Sequence, residues 1–228
     1  MSFKAVLFDF NGLIIQDELI GEQVLTEILL KENLLHDPQD YRRYCLGKSD
    51  RTGLKELLAS KDRIISDANL TKLIKFKTEA YQQQLLNLEE IPIYPGLVDF
   101  LEEIQKRNLV MAIVTGALRE EVKLVLAKTG INAYFQLIVA GDDLEASKPE
   151  PDSHLLALQR LKLFPQECLA IETTFSGIDA AKKAKIQVLG VANFYPVHML
   201  QRRANWTVDR LSDLELDRLA EIFAKIDI

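Results

Sequence analysis

The stretch that most constrains this 228-residue chain is its beginning, where the apolar run Ala5-Val6-Leu7-Phe8 stops abruptly at Asp9. Consecutive apolar residues without alternation predict a strand covered on both faces, as in a parallel sheet. Phe10-Asn11-Gly12 follows, and the glycine permits a sharp exit from the strand. Parallel strands need long crossover connections, usually helical. Such a start therefore commits the chain to alternating strands and helices.

From Ile91 onward the sequence has that alternation. Apolar runs at Val110 to Val114, Leu137 to Ala140, Cys168 to Ile171 and Val188 to Val191 predict further strands, with a short sixth at Trp206 to Val208. Helical patterns separate them, and Leu214, Leu216, Leu219, Ile222 and Phe223 predict a final helix. From Gln16 to Leu88 the pattern is different: no strand is predicted. One helix is expected from about Asp17 to Glu32, a second opened by Asp37-Pro38, a third capped by Ser49 or Asp50, and a long fourth capped by Asp67. A connection of that length with its own apolar faces is a subdomain and not a loop. The expected fold is α/β. Residues 1–15 and 90–228 form a Rossmann-like three-layer core with a parallel sheet, and residues 16–89 an inserted all-helical cap.

Composition narrows the function classes. A formal net charge of −6 argues against nucleic acid or an anionic membrane surface as partner. No apolar stretch approaches a membrane span, and the first run is too short for a signal peptide, so a cytoplasmic location is expected. Cys45 and Cys168 are far apart, as in a reduced compartment. His36, His154 and His198 lie in unrelated contexts, which disfavours a histidine-based metal site.

Asp9, Thr115, Lys148 and Glu172 each follow, or lie just beyond, the end of a predicted strand. In a parallel sheet those ends share one edge. Taken singly, each has an ordinary reading: turn residues, a helix cap, a solvated loop lysine. Together they supply a nucleophile, a hydroxyl, a fixed cation and a second carboxylate, the equipment for phosphoryl transfer through an aspartyl phosphate.

FDFNGLI, IVTGALRE, SKPEPD and AIETTFSGIDAAKKA occur in that order, and the chain resembles the haloacid dehalogenase superfamily of phosphohydrolases in its helical-cap subgroup. The resemblance implies Asp9 as nucleophile, Thr115 and the Gly116 backbone N–H as phosphoryl ligands, and Lys148 as the neutralising cation. It implies a Mg²⁺ cofactor held by Asp9, the Asn11 carbonyl, Glu172 and the position of Thr173. LGKSDRTGLKELL resembles the cap element that faces the substrate, which makes Lys48, Ser49 and Arg51 candidates for leaving-group recognition. The implied partner is a small phosphorylated substrate, and the implied assembly a monomer or homodimer.

The chain departs from the family pattern at informative places. Asn11 stands where the family carries the aspartate that protonates the leaving group, and Thr173 where it carries a second motif-four carboxylate. Gln16 replaces a further aspartate, with Asp17 and Glu18 following. Asparagine does not exchange a proton at neutral pH, so reduced activity is expected. A catalytically weak phosphate-ester-binding protein is the alternative from another class. A sugar-phosphate mutase and a metal-free dehalogenase would use the same Asp9.

Overall fold

Along β1 (Ala5–Phe8) successive side chains point to opposite faces of a sheet, and both faces are buried. Val6 and Phe8 enter one apolar cluster, Ala5 and Leu7 the other. The computed structural model describes residues 4–218 and 221. In it β2 (Val110–Val114), β3 (Leu137–Val139), β4 (Cys168–Glu172), β5 (Gln187–Val191) and β6 (Trp206–Val208) join β1 in the order β3-β2-β1-β4-β5-β6. Every neighbouring pair is parallel.

Between β1 and β2 lie α1 (Glu18–Lys31), α2 (Asp50–Ser60), α3 (Asp67–Leu86) and α4 (Leu97–Lys106). After β2 come α5 (Arg119–Thr129), α6 (Asp152–Leu161), α7 (Phe175–Lys183) and the short α8 (Val197–Leu200). Phe100 and Ile104 of α4 and Val122 and Val125 of α5 cover the Phe8 face. Ala157 of α6 and Ile178 and Ala181 of α7 cover the Leu7 face. Helices on both faces of a parallel sheet are the three layers the sequence predicts.

The inserted segment is helical, and Ile28, Leu57, Leu58 and Leu70 of this cap belong to the same cluster as Phe8. Its fine structure corrects two expectations. Asp37-Pro38 opens no ordinary helix: Asp37 and Asp40 fold onto their own backbone, Asp40 Oδ2 accepting from the Asp37 N–H at 2.9 Å, and only a π turn, Tyr41–Cys45, follows. The fourth helix is capped by Ser66, whose hydroxyl accepts from the Asn69 N–H at 3.3 Å, and not by Asp67. Ser49 caps α2 as expected. Gly12 has φ +78°, the left-handed backbone that the sharp exit from β1 requires. The predicted last helix falls mostly outside the described residues. Among the described residues no helix is long and apolar enough to cross a membrane.

Candidate active site

Asp9 is the first residue beyond β1, and its N–H donates to the Ile171 carbonyl at 3.0 Å, tying it to β4. Thr115 is one residue beyond β2, and Glu172 is the last residue of β4. The chain leaves β1 on one side of the sheet and returns beside it as β4, so these residues flank the crevice where open α/β sheets place ligands. Lys148 arrives from the loop before α6. All four are buried.

The Lys148 ammonium donates to Asp9 Oδ1 at 3.1 Å and to Glu172 Oε1 and Oε2 at 2.9 and 3.0 Å. Asp9 Oδ1 also accepts from the Phe10 N–H at 2.9 Å. That fixes the carboxylate and leaves Asp9 Oδ2 buried without a hydrogen-bond partner. Burial pushes the Asp9 carboxyl up to about 7, repulsion from Glu172 adds to this, and Lys148 opposes it. Burial raises Glu172 as well, against the pull of Lys148. Lys148 itself is held above the usual lysine range: burial pulls it down, but Asp9 and Glu172 outweigh burial. Two buried carboxylates thus share one ammonium. The centre is short of positive charge.

That shortage, together with the donor set, fits a magnesium ion. Asp9 Oδ2 and the hydroxyl of Thr173 are both buried and unpartnered, and with Glu172 and the Asn11 carbonyl they make an all-oxygen set that suits a hard cation. Among the described residues no three or more His, Cys, Asp or Glu side chains gather as a metal site, at this centre or away from it, so the backbone carbonyl and the Thr173 hydroxyl are needed to complete the set.

Opposite Asp9 the cap closes a cavity of about 70 Å³, lined from the core by Asp9, Asn11, Thr115 and Gly116. Gly116 is needed there, because a Cβ would lie 2.5 Å from the Lys48 carbonyl oxygen. The Ser49 N–H donates to Ser147 Oγ at 2.7 Å, and Ser176 Oγ donates to the Gly47 carbonyl at 3.2 Å. The cap segment 47–49 therefore rests on the loops that carry Thr115, Lys148 and Glu172. Thr115 Oγ accepts from the Ala117 N–H at 3.0 Å, which aims it into the same turn.

A haloacid dehalogenase-like hydrolase model matches residues 6–191 of this chain. The chain belongs to that family. Two relatives span most of this haloacid dehalogenase-like hydrolase. Protein CbbY of Rhodobacter capsulatus is 29% identical, covering 97% of this chain and all of the relative. A phosphorylated carbohydrates phosphatase of Thermotoga maritima is 26% identical, covering 83% of this chain and 86% of the relative. The structure of β-phosphoglucomutase from Clostridium difficile superposes with a TM-score of 0.88 over 98% of both chains; at 22% identity this concerns the fold alone.

In this family member the sequence-predicted residues divide. Asp9, Lys148 and Glu172 meet within hydrogen-bond distance. Asn11, Thr115, Gly116, Lys48 and Ser49 line the cavity with Asp9. Arg51 does not: it lines a separate cleft and turns to Asp67 and Thr71, at 3.7 and 3.4 Å. Lys48 is paired with Glu56.

Two residues of the site are not among the sequence-predicted site residues. His154, on the first turn of α6, places Nε2 3.0 Å from Glu172 Oε1. Burial pulls its pKa down to about 3, so it is neutral and donates Nε2–H to the carboxylate. Asp17 accepts from Asn11 Nδ2 at 2.6 Å and from the Tyr81 hydroxyl, both on Oδ2. Burial pushes Asp17 up to about 6, with Tyr81 and Asn11 opposing. The sequence hint for Asp17 is its place directly after Gln16, where the family pattern carries an aspartate.

Proposed function

We propose that this hydrolase cleaves small phosphate monoesters, with phosphorylated carbohydrates as the first class to test, through a covalent phosphoryl group on Asp9. The observation that carries the reading is Asp9 Oδ2, buried and unpartnered beside an ammonium 3.1 Å from its sister oxygen. The name of the Thermotoga relative agrees with this substrate class.

A carboxylate oxygen of Asp9 attacks phosphorus, the bond from phosphorus to the ester oxygen breaks, and the alkoxide leaves, taking its proton from solvent water. Lys148 neutralises the charge shared by Asp9 and the transferring group, and the Thr115 hydroxyl with the Gly116 N–H holds phosphoryl oxygens. Water then attacks phosphorus, inorganic phosphate departs and the Asp9 carboxylate is restored. A Mg²⁺ held by Asp9, the Asn11 carbonyl, Glu172 and Thr173 would supply further charge neutralisation at the phosphoryl oxygens. His154 holds Glu172 in place through its Nε2–H.

Asn11 sets the limit on rate. Its amide is committed to Asp17 and donates a hydrogen bond without delivering a proton. Loss of general acid–base help costs about 10²–10⁴-fold, so ordinary alkyl phosphates turn over slowly and esters with a good leaving group turn over faster. The same observation favours one second reading, a phosphate-ester-binding protein with little turnover.

Hydrolysis of p-nitrophenyl phosphate with Mg²⁺, comparing the natural chain with Asp9→Ala, tests the proposal. The expected result is loss of at least about 10³-fold in the variant and a phosphorylated species by intact mass in the natural chain. Equal rates in both proteins eliminate Asp9 as nucleophile. Binding of phosphate esters with no turnover in either establishes the second reading.

A further inference from the structure

The half of the cavity built by the cap carries no cation free to receive a second anionic group. Among the described residues lining it, the cations are Lys48 and Lys77. Lys48 is paired with Glu56. Lys77 donates to both oxygens of Glu121 at 3.0 Å and makes an ion pair with Asp50 Oδ2 at 3.0 Å. The wall also holds two carboxylates, Asp17 and Asp50.

Asp17 points to what the space accepts. It is 2% exposed, its Oδ2 takes two donors, and its Oδ1 has no hydrogen-bond partner. A buried acceptor without a donor costs free energy unless a ligand supplies one. The other polar groups nearby are neutral: the Tyr41 hydroxyl and the Cys45 thiol are both raised by burial, the thiol to about 12. The remaining lining is apolar, with Leu25, Ile28 and Leu54.

We infer, building on the phosphatase reading, that the leaving group places a hydroxyl or ammonium donor on Asp17 Oδ1. The substrate is therefore a compact monophosphate of a polyol or amino alcohol. Esters whose leaving group bears a second phosphate or a carboxylate are rejected. A donor completes the hydrogen bonding of Asp17. An anion in its place finds both lysines already paired and faces Asp17 and Asp50 across a small, largely buried space, where like charges repel.

Glycerol 3-phosphate and 3-phosphoglycerate differ at the relevant end as alcohol against carboxylate, and they are close in size. With Mg²⁺, kcat/KM is expected to be at least tenfold higher for glycerol 3-phosphate. Asp17→Asn should narrow that ratio severalfold, since it removes the charge and offers the carboxylate an N–H donor. Equal values in the natural chain, or a preference for 3-phosphoglycerate, overturn the inference while leaving the phosphatase reading intact. If neither ester nor p-nitrophenyl phosphate is hydrolysed, the phosphatase reading fails separately. Calorimetric affinities of the same two esters for Asp9→Ala then decide the selectivity: tighter glycerol 3-phosphate binding supports it, and equal affinities overturn it.

Discussion

Lys148 and Lys77 each sit between two carboxylates, yet the two clusters do different work. Lys148 joins Asp9 and Glu172, all three carried by the core, two of them on adjacent strand ends. Lys77 and Asp50 belong to the cap, and Glu121 to α5 of the core, so this second cluster straps one part of the molecule to the other. Around Lys77 both oxygens of Glu121 accept hydrogen bonds, and Asp50 Oδ2, which accepts none, lies 3.0 Å from the ammonium. Around Lys148, Asp9 Oδ2 is left with no partner. One lysine and two carboxylates do not by themselves make a reactive centre. The reactive one keeps an oxygen in reserve and is held wholly by core elements.

The largest expected effect tests whether the Lys148 centre is complete apart from its proton carrier. Asn11→Asp combined with Thr173→Asp should raise kcat on an alkyl phosphate by about 10²–10⁴-fold. A folded double variant that stays as slow as the natural chain would show that something else limits the centre. Lys77→Met comes next. Removing one partner of a buried ion pair destabilises by about 3–5 kcal/mol, here because Glu121 and Asp50 lose their shared cation. Urea unfolding measures it, and a loss below about 1 kcal/mol would mean that the strap is solvated and the contrast with Lys148 overstated.

The core half of this contrast was largely legible in the sequence. Parallel strands are uninterrupted apolar runs, so their ends, and with them Asp9, Thr115 and Glu172, stand out in the text of the chain. Lys148 is marked by the prolines around it. The cap half was much less legible. The Lys77–Glu121 pair spans forty-four positions and the Tyr81–Asp17 pair sixty-four, and no local pattern predicts either. The turn at Asp37 to Asp40 was misread because helix-opening residues there bond to their own backbone. Periodicity reports which face is buried. It does not report which distant polar group is buried against it.

A pH series sharpens the comparison further. Burial is the largest influence on Glu121 and pushes its carboxyl up to about 7; Lys77 opposes this, and Asp50 and Asp17 add to it. Lys77 moves upward too, because Asp50 and Glu121 together outweigh its burial. The two shifts have different consequences: the ammonium is stabilised by the cluster, whereas the Glu121 carboxylate bears the cost of having more anions than cations nearby. A raised carboxyl binds its proton more tightly in the folded state. Stability from this group is therefore full below the ordinary glutamate range, near 4.5, and falls as pH rises through about 7. Across that window the loss is of order 3 kcal/mol. Glu121→Gln should flatten the slope of Tm between pH 5 and 8, and an unchanged slope would move its origin to Asp9 or Asp17, whose carboxyls are raised as well.

The smallest effect concerns how the cap reaches the core. The Ser49 N–H donates to Ser147 Oγ at 2.7 Å, one residue before Lys148, so this cap contact and the reactive lysine share a loop. Ser147→Ala removes a single neutral hydrogen bond between cap and core, worth about 1 kcal/mol, or roughly fivefold in an equilibrium constant. Lys148 keeps its contacts with Asp9 and Glu172, which do not involve Ser147. The cost should therefore fall on KM for a substrate held by the cap, with single-turnover phosphorylation at saturating substrate nearly unchanged. A fall in the saturating rate with KM constant would mean that the Ser49 contact positions Lys148, and the separation between the reactive cluster and the contacts that hold the cap would not hold at this loop.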